Sequence, residues 1–169
     1  MWSIEHLRDL TLRRRTHTPE QRHLSAASGL VCAHGRVYVI ADDEQHLALF
    51  DDARTPGRTL RLFEGDLPAG AKARKKRKPD TETLLLLPAS RAWPHGALLT
   101  LGSGSRPQRS RAACIALGAD GAPAPPARQL DLSALYEPLR QRFDDLNIEG
   151  AFISQRELVQ LLDMPLGAV

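Results

Sequence analysis

Three acidic residues at the ends of strand-like segments suggest the first chemistry that this sequence could perform. Asp42 ends a run rich in β-branched residues, Glu82 begins a leucine run, and Glu149 precedes a short apolar segment. Carboxylate oxygens are the ligands that Ca²⁺ and Mg²⁺ prefer in proteins. If the segments that carry these residues lie side by side, Asp42, Glu82 and Glu149 form a calcium or magnesium site, and this is our prediction.

A second group of residues has the composition of an anion-binding loop. Residues 102–105 read Gly-Ser-Gly-Ser, and Arg106, Arg109 and Arg111 follow them. Backbone N–H groups of such a turn, together with guanidinium groups, bind small anions. The predicted residues for a small anionic ligand are Ser103, Ser105, Arg106, Arg109, Asp80 and Asn147.

Each pattern also has a structural alternative. Acidic residues at strand starts often accept hydrogen bonds from backbone amides, and Gly/Ser-rich segments are commonly only turns. Residues 102–105 form neither a nucleophile elbow nor a phosphate loop, because no Gly-Lys-Ser/Thr and no helix pattern follows them. His46 has the chemistry of a general base. No catalytic residue is predicted, so the sequence does not identify a reaction.

The elements that would position these residues are short strands that recur in the same order. Residues 28–63 contain four strand-like segments, with a tight turn at 34–35, and residues 82–132 repeat them, with a turn at 93–96. A third copy begins at residue 147. Tandem units of four antiparallel strands predict β-propeller blades. A β-sandwich or a flattened barrel is the alternative.

We predict a mainly β fold in the form of a partial propeller, with one short helix near 133–143 that Ser133 caps. A closed propeller needs roughly 4–8 blades, so we expect self-association through open sheet edges, or further C-terminal blades that complete the ring. The predicted segments are an N-terminal strand (1–18), a first blade (24–63), a basic loop (64–79), a second blade (80–132), a helical insertion (133–146) and the start of a third blade (147–169).

The net charge of +3 depends on one basic run, residues 72–78. Such a run could bind nucleic acid or an anionic membrane, but no aromatic residues accompany it for base stacking, so we interpret it as a solvated loop. No apolar run reaches the roughly 18 residues of a membrane-spanning helix. Two cysteines, Cys32 and Cys114, are too few for a disulfide scaffold. We therefore expect a cytoplasmic protein with no membrane partner and no nucleic acid partner.

Four motifs resemble an uncharacterised bacterial family of β-propeller proteins, distantly similar to phytase-like and esterase-like propeller domains. The motifs are Ser28-Gly29-Leu30 with Gly35–Asp43, Lys78-Pro79-Asp80-Thr81-Glu82, His95–Ser105, and Asp145-Leu146-Asn147-Ile148-Glu149-Gly150. The resemblance covers about residues 5–153 and implies a propeller without an established reaction. In that topology Asp80, Glu82, Asn147 and Glu149 would lie near the mouth of the central channel.

From these patterns we expect a propeller-type module that binds a small anionic or metal-linked ligand at the channel mouth. Two alternatives remain open. One is a hydrolase of phosphate or carboxylic esters, in which a metal ion would polarise an oxygen or activate water. The other is a non-catalytic scaffold for protein interactions.

Overall fold

The computed structural model describes residues 2–6, 9–13, 23–24, 26–52, 54–154 and 157–162. This part of the chain is mainly β, with two four-stranded antiparallel sheets, one two-stranded sheet and two α-helices. The elements in chain order are β1 (Ala27–Ala33), β2 (Arg36–Ala41), β3 (His46–Phe50), β4 (Arg58–Arg61), α1 (Ala71–Arg77), β5 (Thr81–Leu87), β6 (Ala97–Gly102), a 3₁₀ turn (Pro107–Arg109), β7 (Arg111–Leu117), β8 (Pro123–Asp131), α2 (Ser133–Arg142), β9 (Ile148–Ser154) and β10 (Glu157–Leu162).

The first sheet has the strand order β1-β2-β3-β4, with every neighbouring pair antiparallel. His34 and Gly35 form the tight turn between β1 and β2, and both have a positive φ, 53° and 70°. Strands β2 and β3 are its most buried members, because they are the inner strands of the sheet and carry mainly apolar residues. The predicted antiparallel four-strand pattern is confirmed for this unit.

The second sheet repeats this arrangement in the order β5-β6-β7-β8. Its outer strand β8 begins at Pro123, within the Gly/Pro-rich segment. Proline lacks the N–H donor of an inner strand, but an edge strand tolerates it. The apolar core between the two sheets includes Tyr38, Ile40, Leu84 and Ile115.

The first strand of each unit lies beside the first strand of the next. Strand β5 contacts both β1 and β9, and the Ser28 hydroxyl on β1 donates to the Thr81 carbonyl on β5 at 2.6 Å. Strands β9 and β10 form the two-stranded sheet, within the predicted start of a third blade. Residues 163–169 of that segment lie outside the described residues. The leading ends of β5 and β9 therefore lie on neighbouring strands.

The predicted basic loop 64–79 is wrong in its central part, which forms helix α1. Alanine, lysine and arginine are good helix formers, and no β-branched residue interrupts the run. The predicted N-terminal strand is reduced, within the described residues, to one parallel bridge between Leu12 and Gly57. Leu12 is nevertheless buried against Val39 and Phe50.

The predicted helix near 133–143 is present as α2, so the described residues contain two α-helices and not one. Ser133 does not cap it, because Ser133 is already its first helical residue and Leu132 occupies the cap position. The side chain of Asp131 instead accepts the Ser133 N–H at 2.8 Å. Tyr136 anchors α2 in a small core with Leu146 and Ile148. Among the described ranges, no helix has the length and apolar character needed to cross a bilayer.

Candidate functional site

Asp80 is the centre of a buried polar network at the leading end of β5. Its backbone has a φ of 56°, in the left-handed region that aspartate adopts more readily than most residues. Its carboxylate forms ion pairs with Lys78 Nζ at 2.8 Å and with Arg109 Nη1 at 2.8 Å, and it accepts a hydrogen bond from Ser103 Oγ at 2.6 Å. Two cations and one hydroxyl thus hold the carboxylate in one orientation.

Lys78 extends this network to the first sheet by an ion pair with Asp42, the residue that follows β2. The side chain of Lys78 is only 11% exposed. Burial lowers the pKa of Lys78, but its hydrogen bonds to Asp42 and Asp80 outweigh burial, so the pKa is raised overall. Asp42, Lys78, Asp80 and Arg109 therefore alternate in charge, and their charges cancel.

The carboxylate of Glu82 lies next to this network of paired charges, whose net charge is zero. One carboxylate oxygen from each of Asp42, Asp80 and Glu82 lies within 4.8 Å of the other two. The structure thus brings together two of the predicted metal ligands, Asp42 and Glu82. Asp80, which we had assigned to an anionic ligand, is the third member, and Glu149 is outside this group. Because the charge of Glu149 still acts on Glu82, we include it in the name and call Asp42, Asp80, Glu82 and Glu149 the carboxylate cluster.

Within the cluster, Glu82 is the residue whose pKa is most clearly changed by its environment. Burial raises the pKa of Glu82, and the negative charges of Asp80, Glu149 and Asp42 raise it further, from 4.5 to about 7, whereas Lys78 opposes the change. Within the described chain, the Glu82 carboxylate accepts no hydrogen bond and forms no ion pair. A carboxylate that titrates near neutrality is typical of binding and catalytic sites.

Glu149 and Asn147 approach the cluster from the start of β9. Glu149 is exposed, and the side-chain amide of Asn147 donates a hydrogen bond to its carboxylate. The backbone N–H of Ile148 donates to the Ser103 carbonyl at 2.8 Å, which fixes this segment against the Gly-Ser loop. Glu82 and Glu149 are therefore the two acidic groups of the cluster that form no ion pair with a cation among the described residues.

The Gly-Ser loop has little donor capacity left for an anion. Ser103 Oγ donates to Asp80, so the 2.8 Å contact between the two hydroxyls uses the proton of Ser105. Ser105 Oγ also accepts from Arg109 Nη1 at 2.8 Å. Arg109, which we predicted to bind an anionic ligand, is 9% exposed and paired with the Asp80 carboxylate. Three of the predicted anion-binding residues thus serve the Asp80 network.

A cleft of about 310 Å³ opens between this loop and the segment before β9. Its lining residues are Ser105, Arg106, Arg109, Asp144, Asp145, Leu146 and Asn147. Arg106 is exposed there and has no ion-pair partner within the described residues. The structure therefore places four predicted ligand-binding residues in one cleft, beside two aspartates that the sequence did not indicate.

The sequence did not indicate the roles of Lys78 and Arg109. Lys78 was counted with the solvated basic run, although it is the one lysine of that run followed by Pro-Asp. Arginine is rarely buried unless it is paired, and no sequence signal showed that Asp80 would be the partner of Arg109. His46 lies elsewhere, in a cavity of about 310 Å³ with Glu44 and Arg61.

Comparisons with known proteins give a family but no activity. A model described as "Family of unknown function (DUF6929)" matches residues 23–162. No curated protein and no solved structure matches the chain. The phytase-like and esterase-like resemblance therefore receives no support from them. Since the match includes every described strand, the chain belongs to this family of unknown function.

Proposed function

We propose that this protein is a propeller-type module that binds a divalent cation of the calcium and magnesium class at its carboxylate cluster. The observation that carries the proposal is Glu82, a partly buried carboxylate with no partner among the described residues and three other carboxylates around it. A bound cation would supply the positive charge that this arrangement lacks.

The order of the strands supports the propeller part of the proposal. Two consecutive units are antiparallel sheets in which neighbours in sequence are neighbours in space, and a third unit begins in the same way. The first strands β1, β5 and β9 lie next to one another. In a propeller such strands surround the central axis, and loops at one end of them form the ligand-binding mouth.

The donor set supports a hard cation. The cluster offers carboxylate oxygens and contains neither a histidine nor a thiol, which are the ligands of zinc and copper sites. Lys78 already neutralises part of Asp42 and Asp80, so an incoming cation competes with its ammonium group. We therefore expect Glu82 to contribute most of the affinity, with Glu149 adding negative charge from outside the ligand group.

Calorimetric titration of the protein with CaCl₂, and separately with MgCl₂, tests the proposal. Wild-type protein should bind one cation per chain, and Glu82→Gln should weaken binding by about tenfold or more, since it removes the carboxylate whose charge the cation neutralises. Glu157→Gln is the matched control, because Glu157 is an exposed glutamate at the start of β10. Equal affinity of the three proteins, or no binding by wild-type protein, would contradict the proposal.

A second candidate function rests on the same residue. A carboxylate with a pKa of about 7 has the ionisation expected of a general base at neutral pH, as the hydrolase alternative requires. Hydrolysis of p-nitrophenyl phosphate and p-nitrophenyl acetate by wild-type protein, lost in Glu82→Gln but kept in Glu157→Gln, would support it. If the protein binds the cation but hydrolyses neither ester, the hydrolase candidate is rejected and the cation-binding module is the function that is left.

A further inference from the structure

The cleft between the Gly-Ser loop and the segment before β9 carries charges that the Asp80 network does not use. Arg106, Asp144 and Asp145 all line it, and none of the three has an ion-pair or side-chain hydrogen-bond partner within the described residues. Arg109 also lines it, but its charge is neutralised by Asp80. The unpaired groups are thus one cation and two anions.

The walls of this cleft are fixed by contacts outside the binding groups. Ile148 N–H donates to the Ser103 carbonyl at 2.8 Å, and Arg140 Nη1 donates to the Gly104 carbonyl at 2.9 Å and to Ser110 Oγ at 2.7 Å. The loop therefore faces the segment before β9 without needing a ligand to order it. Preformed walls lower the entropy cost of binding a small molecule.

We propose that this cleft binds a basic amino acid, with lysine as the simplest example. One α-carboxylate and two ammonium groups complement the single unpaired arginine and the two unpaired aspartates. The α-carboxylate of the ligand would accept a bidentate pair of hydrogen bonds from the Arg106 guanidinium. The two ammonium groups of the ligand would donate hydrogen bonds to Asp144 and Asp145.

Asn147 adds a neutral acceptor to the same cleft. Its side-chain nitrogen donates to Glu149, so its amide oxygen is left to accept from an ammonium group. A volume of about 310 Å³ is at the small end of ligand sites in proteins, as a single amino acid requires. A purely anionic ligand fits less well, because Asp144 and Asp145 would repel it.

Titration of ¹⁵N-labelled protein, followed by amide chemical shifts, tests this assignment with three small molecules. L-lysine has both kinds of charge, cadaverine has the two amines without the carboxylate, and glutarate has carboxylates without an amine. We expect L-lysine to bind about tenfold more tightly than either of the others, with shifts at residues 103–109 and 144–147. Equal binding of cadaverine and L-lysine would reduce the cleft to an acidic patch and overturn the proposal, as would no binding of L-lysine.

Variants locate the site and separate it from the carboxylate cluster. Arg106→Gln should remove the preference for L-lysine over cadaverine, and Asp145→Asn should weaken L-lysine binding. Arg91→Gln changes an exposed arginine in the loop before β6 and should leave L-lysine binding as in wild-type protein. Glu82→Gln should also leave it unchanged. If Glu82→Gln abolishes L-lysine binding while Arg106→Gln does not, the amino acid binds at the carboxylate cluster and the cleft is not its site.

Discussion

At the scale of single residues, Glu82 makes the stability of the protein depend on pH. Its pKa is about 7 in the folded chain against an ordinary value of 4.5. Between these values the folded state binds more protons than the unfolded state, so the free energy of unfolding falls as the pH rises. Because solvent screens this partly exposed group, we expect Glu82 to contribute a loss of about 1–2 kcal/mol across that range.

Urea denaturation at a series of pH values measures this contribution. Glu82→Gln has no proton to lose, so its stability should fall less than that of wild-type protein as the pH rises from about 5 to about 8. Glu157→Gln should follow the wild-type profile. Parallel profiles for wild-type protein and Glu82→Gln would show that the Glu82 carboxylate titrates normally and is not crowded by its neighbours.

Lys78 is expected to act as the resident counter-ion of the cluster. Lys78→Gln leaves the carboxylates of Asp42 and Asp80 without this ammonium group, so we expect the cation-free protein to lose about 2–3 kcal/mol of unfolding free energy. The same variant should bind Ca²⁺ more tightly than wild-type protein, because nothing competes for the two aspartates. Calorimetric titration checks this, with Lys72→Gln on the exposed side of α1 as the control. Weaker Ca²⁺ binding by a folded Lys78→Gln would contradict a shared site.

The sequence indicated the residues of the site better than it indicated their partners. The proximity of Asp42 and Glu82 could be predicted because the strand pattern repeats, and the repeat indicates which strand ends are neighbours. The positive φ of Asp80, and its contacts with Lys78, Ser103 and Arg109, could not be predicted in this way. They depend on the paths of two separate loops. Arg109 could not be placed inside, since arginine alone gives no sign of a buried carboxylate partner.

At the scale of elements, the site depends on the close approach of three backbone segments at Gly102. A Cβ added there would lie 2.3 Å from the Arg109 carbonyl oxygen and 2.8 Å from the Pro79 carbonyl oxygen. Both contacts are with backbone, so neither can relax by a side-chain rotation. We expect Gly102→Ala to lose about 2–4 kcal/mol of unfolding free energy and to displace the loop that carries Ser103.

Urea denaturation checks this, with Gly70→Ala as the matched control. A Cβ at Gly70 would meet nothing within 4 Å, and its φ of −70° suits alanine. Gly70→Ala should therefore remain within about 0.5 kcal/mol of wild-type stability. If Gly102→Ala is equally neutral, β6 and the Pro79 segment do not meet as described.

Among the elements, strands were predicted from sequence more accurately than helices. Short apolar runs bounded by turn residues identify β2, β3, β6 and β7, because these inner strands are buried along most of their length. The basic run 72–78 has no apolar face, so no periodicity indicated helix α1. What holds α1 is the pairing of Arg74 with Asp43 and the anchoring of the adjacent Lys78, both of which are tertiary contacts.

At the scale of the whole molecule, we expect the third unit to be the part through which chains associate. Strands β9 and β10 expose Phe152, Ile153, Leu158 and Leu161, the last at 53%. A two-stranded sheet is marginally stable alone, and an exposed apolar edge favours pairing with another chain. We expect concentration-dependent self-association in sedimentation velocity. Leu161→Lys should reduce it, and Leu135→Lys on exposed α2 should not; a monomer at every concentration would contradict this expectation.

In the proposed site, carboxylates from successive units converge on one cation. The most direct measurement is the pKa of the Glu82 side chain, followed by ¹³C NMR with and without Ca²⁺. We predict a pKa of about 7 without the cation, and a pKa lower by about one unit or more when Ca²⁺ binds. An ordinary glutamate value that Ca²⁺ does not change would show that the carboxylates neither crowd one another nor bind the ion.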